Sequence, residues 1–188
     1  MKIALIVGGV LILIALLFVG QLFGMKNELV VKKNSIDGSW AQVDTDIKRR
    51  ADLIPNLVET VKGFAKQEKS VIDSVTSARA ALGGARTPQE KIQANDQLSG
   101  ALSRLLVVVE NYPNIKSNEN FLRLQDEIAG TENRIAISRR DYNKAIQDYN
   151  TTIELFPKSI AASIFGYQRN DAYFKTTEED KKVPKVAF

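Results

Sequence analysis

Two residue types are missing from all 188 positions: there is no cysteine and no histidine. Without cysteine there is no disulfide, no thiolate metal site, no cysteine nucleophile and no lipobox acylation. Without histidine the chain lacks the commonest general base near neutral pH and the commonest zinc ligand. The di-metal chemistry that helical bundles build on Glu-x-x-His motifs goes with it. Glycine (11) and proline (5) are scarce, and aromatics make up 7% of the chain. That is poor material for a many-turned β-sandwich and good material for long helices. No G-x-S-x-G or S-x-x-K motif occurs, and Gly83-Gly84 reads as a linker rather than a phosphate loop. The reading is therefore of a protein that is not an enzyme and uses no metal or cofactor.

What is present begins with a long apolar run. From Ile3 to Gly24 no residue is charged, and only Gln21 is strongly polar. About 20 apolar residues cross a hydrocarbon core as a helix. A cleaved signal peptide is the alternative, but the run exceeds a signal h-region and no clear small-residue cleavage site follows. The expectation is a retained single-pass anchor over residues 1–25, meeting the bilayer through residues 3–25. Lys26, Lys32 and Lys33 follow the run, against Lys2 and the α-amine before it. This excess leans towards a cytoplasmic body on the cell membrane. The net charge is +4, but acidic and basic residues are interleaved, as in Asp44, Asp46, Lys48, Arg49, Arg50 and Asp52. Interleaving describes a solvated surface and speaks against nucleic-acid binding, which needs clustered charge.

Beyond a juxtamembrane segment (26–35) the chain reads as a helical body over 36–166, with a polar tail over 167–188. The first stretch, 36–82, places Ile36, Trp40, Val43, Ile47, Ile54, Leu57, Val61, Phe64, Val71, Val75, Ala78 and Leu82 at alternating steps of four and three. Such a seam is a helix-packing signature. Arg50 and Glu68 interrupt it. Pro55 cannot donate to the carbonyl of Ala51, so a kink or break is expected near Asp52–Pro55, with Gly63 a second weak point. Thr87, Pro88 and Glu90 spell a capping box that starts the second stretch, 88–112, ended by Tyr112-Pro113. Ser117 is the expected cap of the third, 117–156. There Phe121, Ile128, Ile135, Tyr142, Tyr149 and Phe156 recur every seven residues, with mostly small companions at Leu124, Thr131, Ser138, Ala145 and Thr152. A short apolar helix over 159–165, stopped by Gly166, either docks on the bundle or forms an exposed patch. The fold class is all-α: an antiparallel bundle of three to four long helices after an N-terminal transmembrane helix. The first and third stretches are too long for the second, so overhang with a kink in the first is expected.

Several segments resemble the LemA family. They are Trp40 with Arg49-Arg50-Ala51-Asp52-Leu53-Ile54-Pro55-Asn56-Leu57-Val58, Glu110-Asn111-Tyr112-Pro113, and Thr131-Glu132-Asn133-Arg134-Ile135-Ala136. Tyr142-Asn143, repeated as Tyr149-Asn150 before Phe156-Pro157, and the closing Pro184-Lys185-Val186-Ala187-Phe188 complete the set. The resemblance implies a bacterial membrane-anchored helical bundle. It supplies no substrate and no catalytic residues, because the family's molecular function is not established.

Candidate interaction or register residues follow from the pattern. Arg50 and Glu68 either line a polar groove or pair with a facing helix, with Glu110 or Glu132 as partners that would set register. Tyr142, Asn143, Tyr149 and Asn150 form either a recognition ladder or core positions with satisfied hydroxyls. Asp52, Pro55 and Asn56 form either a binding notch or a re-capped helix break. Glu178-Glu179-Asp180 reads as a solvated acidic patch. The functional expectation is a membrane-tethered scaffold or adaptor with an unknown protein partner. A self-assembling membrane-associated structural protein, a homo-oligomer, is the alternative.

Overall fold

The computed structural model describes residues 2–174, with the side chain of Ala4 excepted. Six helices follow one another: α1 (Lys2–Phe64), α2 (Lys69–Gly84), α3 (Pro88–Val109), α4 (Pro113–Lys116), α5 (Glu119–Glu154) and α6 (Lys158–Ile164). No strand occurs among the described residues, and the all-α class holds. Contacts divide the chain into two compact units, residues 2–39 with 143–171 and residues 40–142 with 172–174.

The second unit is a four-helix arrangement. It uses the part of α1 from Trp40 onward, then α2, α3 and the part of α5 up to Tyr142. Cross-helix contacts give the directions. Asp44 and Arg50 of α1 meet Lys91 and Asn95 of α3 in parallel order. Arg50 meets Glu132 and Trp40 meets Tyr142, so α1 and α5 are antiparallel. The core is the anticipated seam: Val43, Ile47, Ile54, Leu57 and Val61 of α1, Val75 and Leu82 of α2, Leu98 and Leu105 of α3, and Phe121 and Ile135 of α5 are buried. Thr131 and Ser138 are buried on α5 as small companions, and their hydroxyls donate back to the carbonyls of Ile128 and Ile135. Small side chains there let neighbouring backbones approach closely.

Local signals at the helix ends are partly as expected. The Thr87–Glu90 capping box forms in both directions. The third long helix starts differently: the side-chain oxygen of Asn118 accepts from the amide of Phe121 at 3.1 Å, while the Ser117 hydroxyl donates to the Pro113 carbonyl at 3.0 Å. Asn118 is therefore the cap. The helix stays unbroken through Pro55. The interruption falls instead at 65–68, just after Gly63, where the amide of Glu68 donates to the carbonyl of Ala65. The carbonyl that Pro55 leaves unpartnered within α1 receives Nε of Arg79 from α2 at 3.0 Å. An external donor thus replaces the missing amide, which removes the reason to break.

The juxtamembrane residues 26–35 are helical. They continue α1, which runs 63 residues without interruption, about 95 Å at 1.5 Å per residue. In the first unit the positively charged Lys158 of α6 pairs with Glu28 of α1 at 2.6 Å. Nζ of Lys26 sits 5.0 Å from the centre of the Phe165 ring. Residues 26–39 and 143–171 are thus packed with each other, so these lengths are not bare overhangs. Gly166, at φ +72°, stops α6 as expected, and the amide of Tyr167 reaches back to the Ala162 carbonyl at 2.9 Å, a Schellman closure. Phe156, expected on the α5 seam, lies past the end of α5 and is 79% exposed. Phe64, the last residue of α1, is also exposed. The acidic cluster Glu178-Glu179-Asp180, the tail over 176–182 and the closing 184–188 motif lie outside the described residues.

Candidate functional site

The most unusual interior group is Arg50. Its side chain is fully buried in the second unit. It donates to the Glu132 carboxylate and to the side-chain oxygen of Asn95. Further bonds reach the Ser99 hydroxyl at 3.1 Å and the Asn95 carbonyl at 3.3 Å. One guanidinium therefore ties α1 to α3 and α5. Burial pushes its pKa down to about 10, nearby Arg139 adds to the shift, and Asp96 opposes it. Arg139 itself pairs with Asp96 at 2.7 Å, linking α5 to α3 next door. A layer of ionic and amide groups inside a bundle keeps these bonds only in one helix register, although Arg50 Nε, Asn95 Nδ2 and Arg139 Nε are buried without a hydrogen-bond partner among the described residues. Glu132 keeps 48% of its side chain exposed, so the layer opens to solvent at that end.

A groove of about 360 Å³ opens over this end. Arg50 and Glu132 line it, with Leu57, Leu102, Leu106, Ile128 and Ala129 among its apolar walls. Leu106 and its neighbour Val107 are exposed. The groove is mainly apolar with one ion pair at its base, which suits an apolar side chain or helix face better than a small polar substrate.

The other expected residues distribute differently. Glu68 does not meet Arg50; its carboxylate accepts from the Tyr112 hydroxyl at 2.8 Å. That hydrogen bond is the first reason the Tyr112 hydroxyl titrates above its usual range. Glu110, the other partner considered for Arg50, pairs with Lys116. Asp52 and Asn56 make no common notch. Asp52 lines a groove of about 370 Å³ with Arg79 and Lys91. Asn56 lines another of about 450 Å³ with Asn120 and Arg123. Four apart on one helix, they share a side of α1, but the elements facing them differ: α2 and α3 beside Asp52, α5 beside Asn56.

The two Tyr-Asn pairs part company. Tyr142 is buried against Trp40 (5.3 Å between ring centres) and Phe174 (5.8 Å). The Arg139 guanidinium lies 4.6 Å from the centre of the Phe174 ring. Asn143 is half-buried in the first unit. There the Tyr149 hydroxyl donates to the carbonyl of Gln168 at 2.8 Å. The Asn150 amide donates to the carbonyl of Asn170 at 2.7 Å and accepts from its N–H at 2.9 Å. Tyr149 and Asn150 thus hold the chain's own 168–170 segment, and a ladder free to read a ligand is not what they form. Burial, then neighbouring Tyr167, raises the pKa of Tyr149. Among the described residues no group of three or more His, Cys, Asp or Glu side chains could hold a metal ion.

Sequence reasoning missed Asn95. Its signal was present: Asn95, Leu98, Leu102, Leu105 and Val109 step by three and four, so a polar residue stood on the α3 seam as Arg50 did on that of α1. Arg79 and Asp96 carried no such mark, because exposed and partly exposed charges are common on helices.

A LemA family model matches residues 39–188. Magnetosome protein MamQ 2 of Paramagnetospirillum magneticum is 27% identical, over 92% of this chain and 72% of its own length. Protein LemA of Metamycoplasma hominis is 25% identical, over 84% of this chain and 72% of its own. Magnetosome protein MamQ of Magnetospirillum gryphiswaldense is 22% identical over 88% and 71%. The N-terminal half of α1 is long and apolar enough to cross a membrane, which is compatible with a membrane location. With the family model covering all but the N-terminal part of the sequence, the chain belongs to the LemA family.

Proposed function

We propose that this protein is a membrane-anchored helical scaffold or adaptor, without catalytic chemistry of its own, that works through protein contacts at the membrane. One observation carries the reading: the helix that holds the exposed apolar run at residues 3–24 continues unbroken to supply Arg50 and Leu57 to the α3–α5 groove. An apolar run left bare by the rest of the fold calls for lipid. The groove supplies an apolar cleft with a charged base that suits a partner helix. Lys26, Lys32 and Lys33 after the run favour a cytoplasmic body and a single pass.

The test is site-specific photo-crosslinking of the full-length protein in its native membrane, with the reactive residue at Leu106 or Ile128 and a control at Lys144. The expected result is one reproducible heteromeric adduct from the groove positions, lost on Leu102→Glu and absent at the control. Adducts between copies of this chain alone would replace the adaptor with the self-assembling alternative. Equal labelling from groove and control would remove both.

A further inference from the structure

We propose that the α5–α6 turn and α6 form a second, interfacial contact with the lipid surface, an apolar foot planted beside the anchor. The inference rests on the membrane reading of α1. Four large apolar side chains are exposed together here: Leu155 at 58%, Phe156 at 79%, Ile160 at 42% and Ile164 at 60%. Ile160 and Ile164 stand four apart on α6 and share one face. The opposite face is spent on the fold, since Ala161 and Ala162 are buried.

Location names the occupant. The Lys158–Glu28 ion pair and the Lys26–Phe165 contact bind α6 to residues 26–28 of α1. Those residues begin two positions past Gly24, about 3–6 Å along the helix, where a spanning helix leaves the hydrocarbon for the headgroups. All of these contacts lie within the first unit. These contacts hold α6 beside the membrane boundary of α1, in whose apolar run Leu16, Leu17, Phe18 and Phe23 are also bare. Amphipathic helices at this level bury their apolar face about 5–10 Å into the headgroup and acyl boundary. Lys26 and Lys158, held by Phe165 and Glu28, keep basic groups beside the patch at the level of the lipid headgroups. A patch of this kind facing water would be an association liability; lying in the interface, it anchors the end of α5.

The absence of cysteine makes the test direct. Single replacements Phe156→Cys, Ile160→Cys and Ile164→Cys carry a fluorophore in the full-length protein. The protein is reconstituted into phosphatidylcholine–phosphatidylglycerol vesicles bearing nitroxide lipids at headgroup, shallow or deep acyl positions. Leu13→Cys reports the anchor, and Gln147→Cys, exposed on α5, reports water. The foot requires labels at 156, 160 and 164 to be quenched most by headgroup and shallow nitroxides, with iodide quenching several-fold below that at 147. Iodide quenching equal to that at 147 overturns it. So does shielding from iodide without lipid quenching, which would mean a protein partner or a second copy on the patch. If Leu13→Cys is quenched by the deep nitroxide while the foot labels are not, the foot alone falls. If Leu13→Cys escapes the deep nitroxide, the anchor falls and the foot with it.

Discussion

Arg50 and Glu132 are unequal partners, and that inequality is measurable. Arg50 is fully buried, whereas Glu132 keeps 48% of its side chain in solvent. Glu132→Ala leaves a buried cation without its anion, and breaking a buried pair in that sense costs about 3 kcal/mol. Arg50→Met fills similar volume and the carboxylate it leaves behind can hydrate, but the buried side-chain oxygen of Asn95 loses its donor, so the expected cost is about 1–2 kcal/mol. Denaturant unfolding of the full chain in mild detergent should rank the two in that order; the reverse ranking would remove the register role. Tyr149 sets a pH dependence with a definite sign. An unfolded tyrosine loses its proton near pH 10, while folded Tyr149 holds it to higher pH. The native state then binds more protons above pH 10. Its stabilisation is complete below that point and is lost as pH rises through the raised native value. Arg50, whose native pKa is lowered, works in the opposite sense over the same alkaline range, equally in both proteins compared. The melting temperature of Tyr149→Phe should therefore fall less steeply than the parent's as pH rises above about 10.

At the scale of elements, two local devices separate cleanly. The Thr87–Glu90 box starts α3, so Thr87→Ala should cost about 1 kcal/mol, with Thr87→Ser restoring most of it in a thermal melt. Glu90 is held below the usual carboxylate range, chiefly by the backbone amide of Arg86 and then that of Thr87. That part of the stabilisation is present above the ordinary carboxylate pKa and disappears as the carboxylate protonates in acid. The Pro55–Arg79 pair is a non-local device. Arg79 serves the Ala51 carbonyl only because Pro55 has no amide to offer. Arg79→Ala should cost about 0.5–1 kcal/mol in the parent. It should cost less in a Pro55→Ala background, where residue 55 regains its own donor. A double-mutant cycle reads this coupling, and strict additivity would show that Arg79 is incidental.

For the whole molecule, the proposed cytoplasmic body rests on the basic flank after the apolar run. A fusion at the C-terminus should report the cytoplasm, green fluorescent protein glowing and alkaline phosphatase silent. Changing Lys26, Lys32 and Lys33 together to Gln removes the excess over Lys2, and a substantial share of molecules should then invert. If the triple variant keeps the parent's orientation, the flanking charge is not what sets it.

Periodicity determined that this chain is helical and which seam positions are buried, Phe64 and Phe156 excepted; the capping box marked where α3 begins, and composition that the N-terminal run is apolar enough for lipid. Those properties depend on residues within a turn or two of each other, so they are written locally. Sequence could name Glu132 as a partner for Arg50 only beside Glu110, and it could not find Asn95, because choosing among distant polar residues requires the helix register. Tertiary contacts decided that α1 survives Pro55, since the compensating donor comes from Arg79, 28 residues on. They decided that Tyr149 and Asn150 hold residues 168–170 rather than stay open. They also left Leu155, Phe156, Ile160 and Ile164 bare. Exposure is a property of what packs against a side chain, and hydrophobicity along the chain does not contain it.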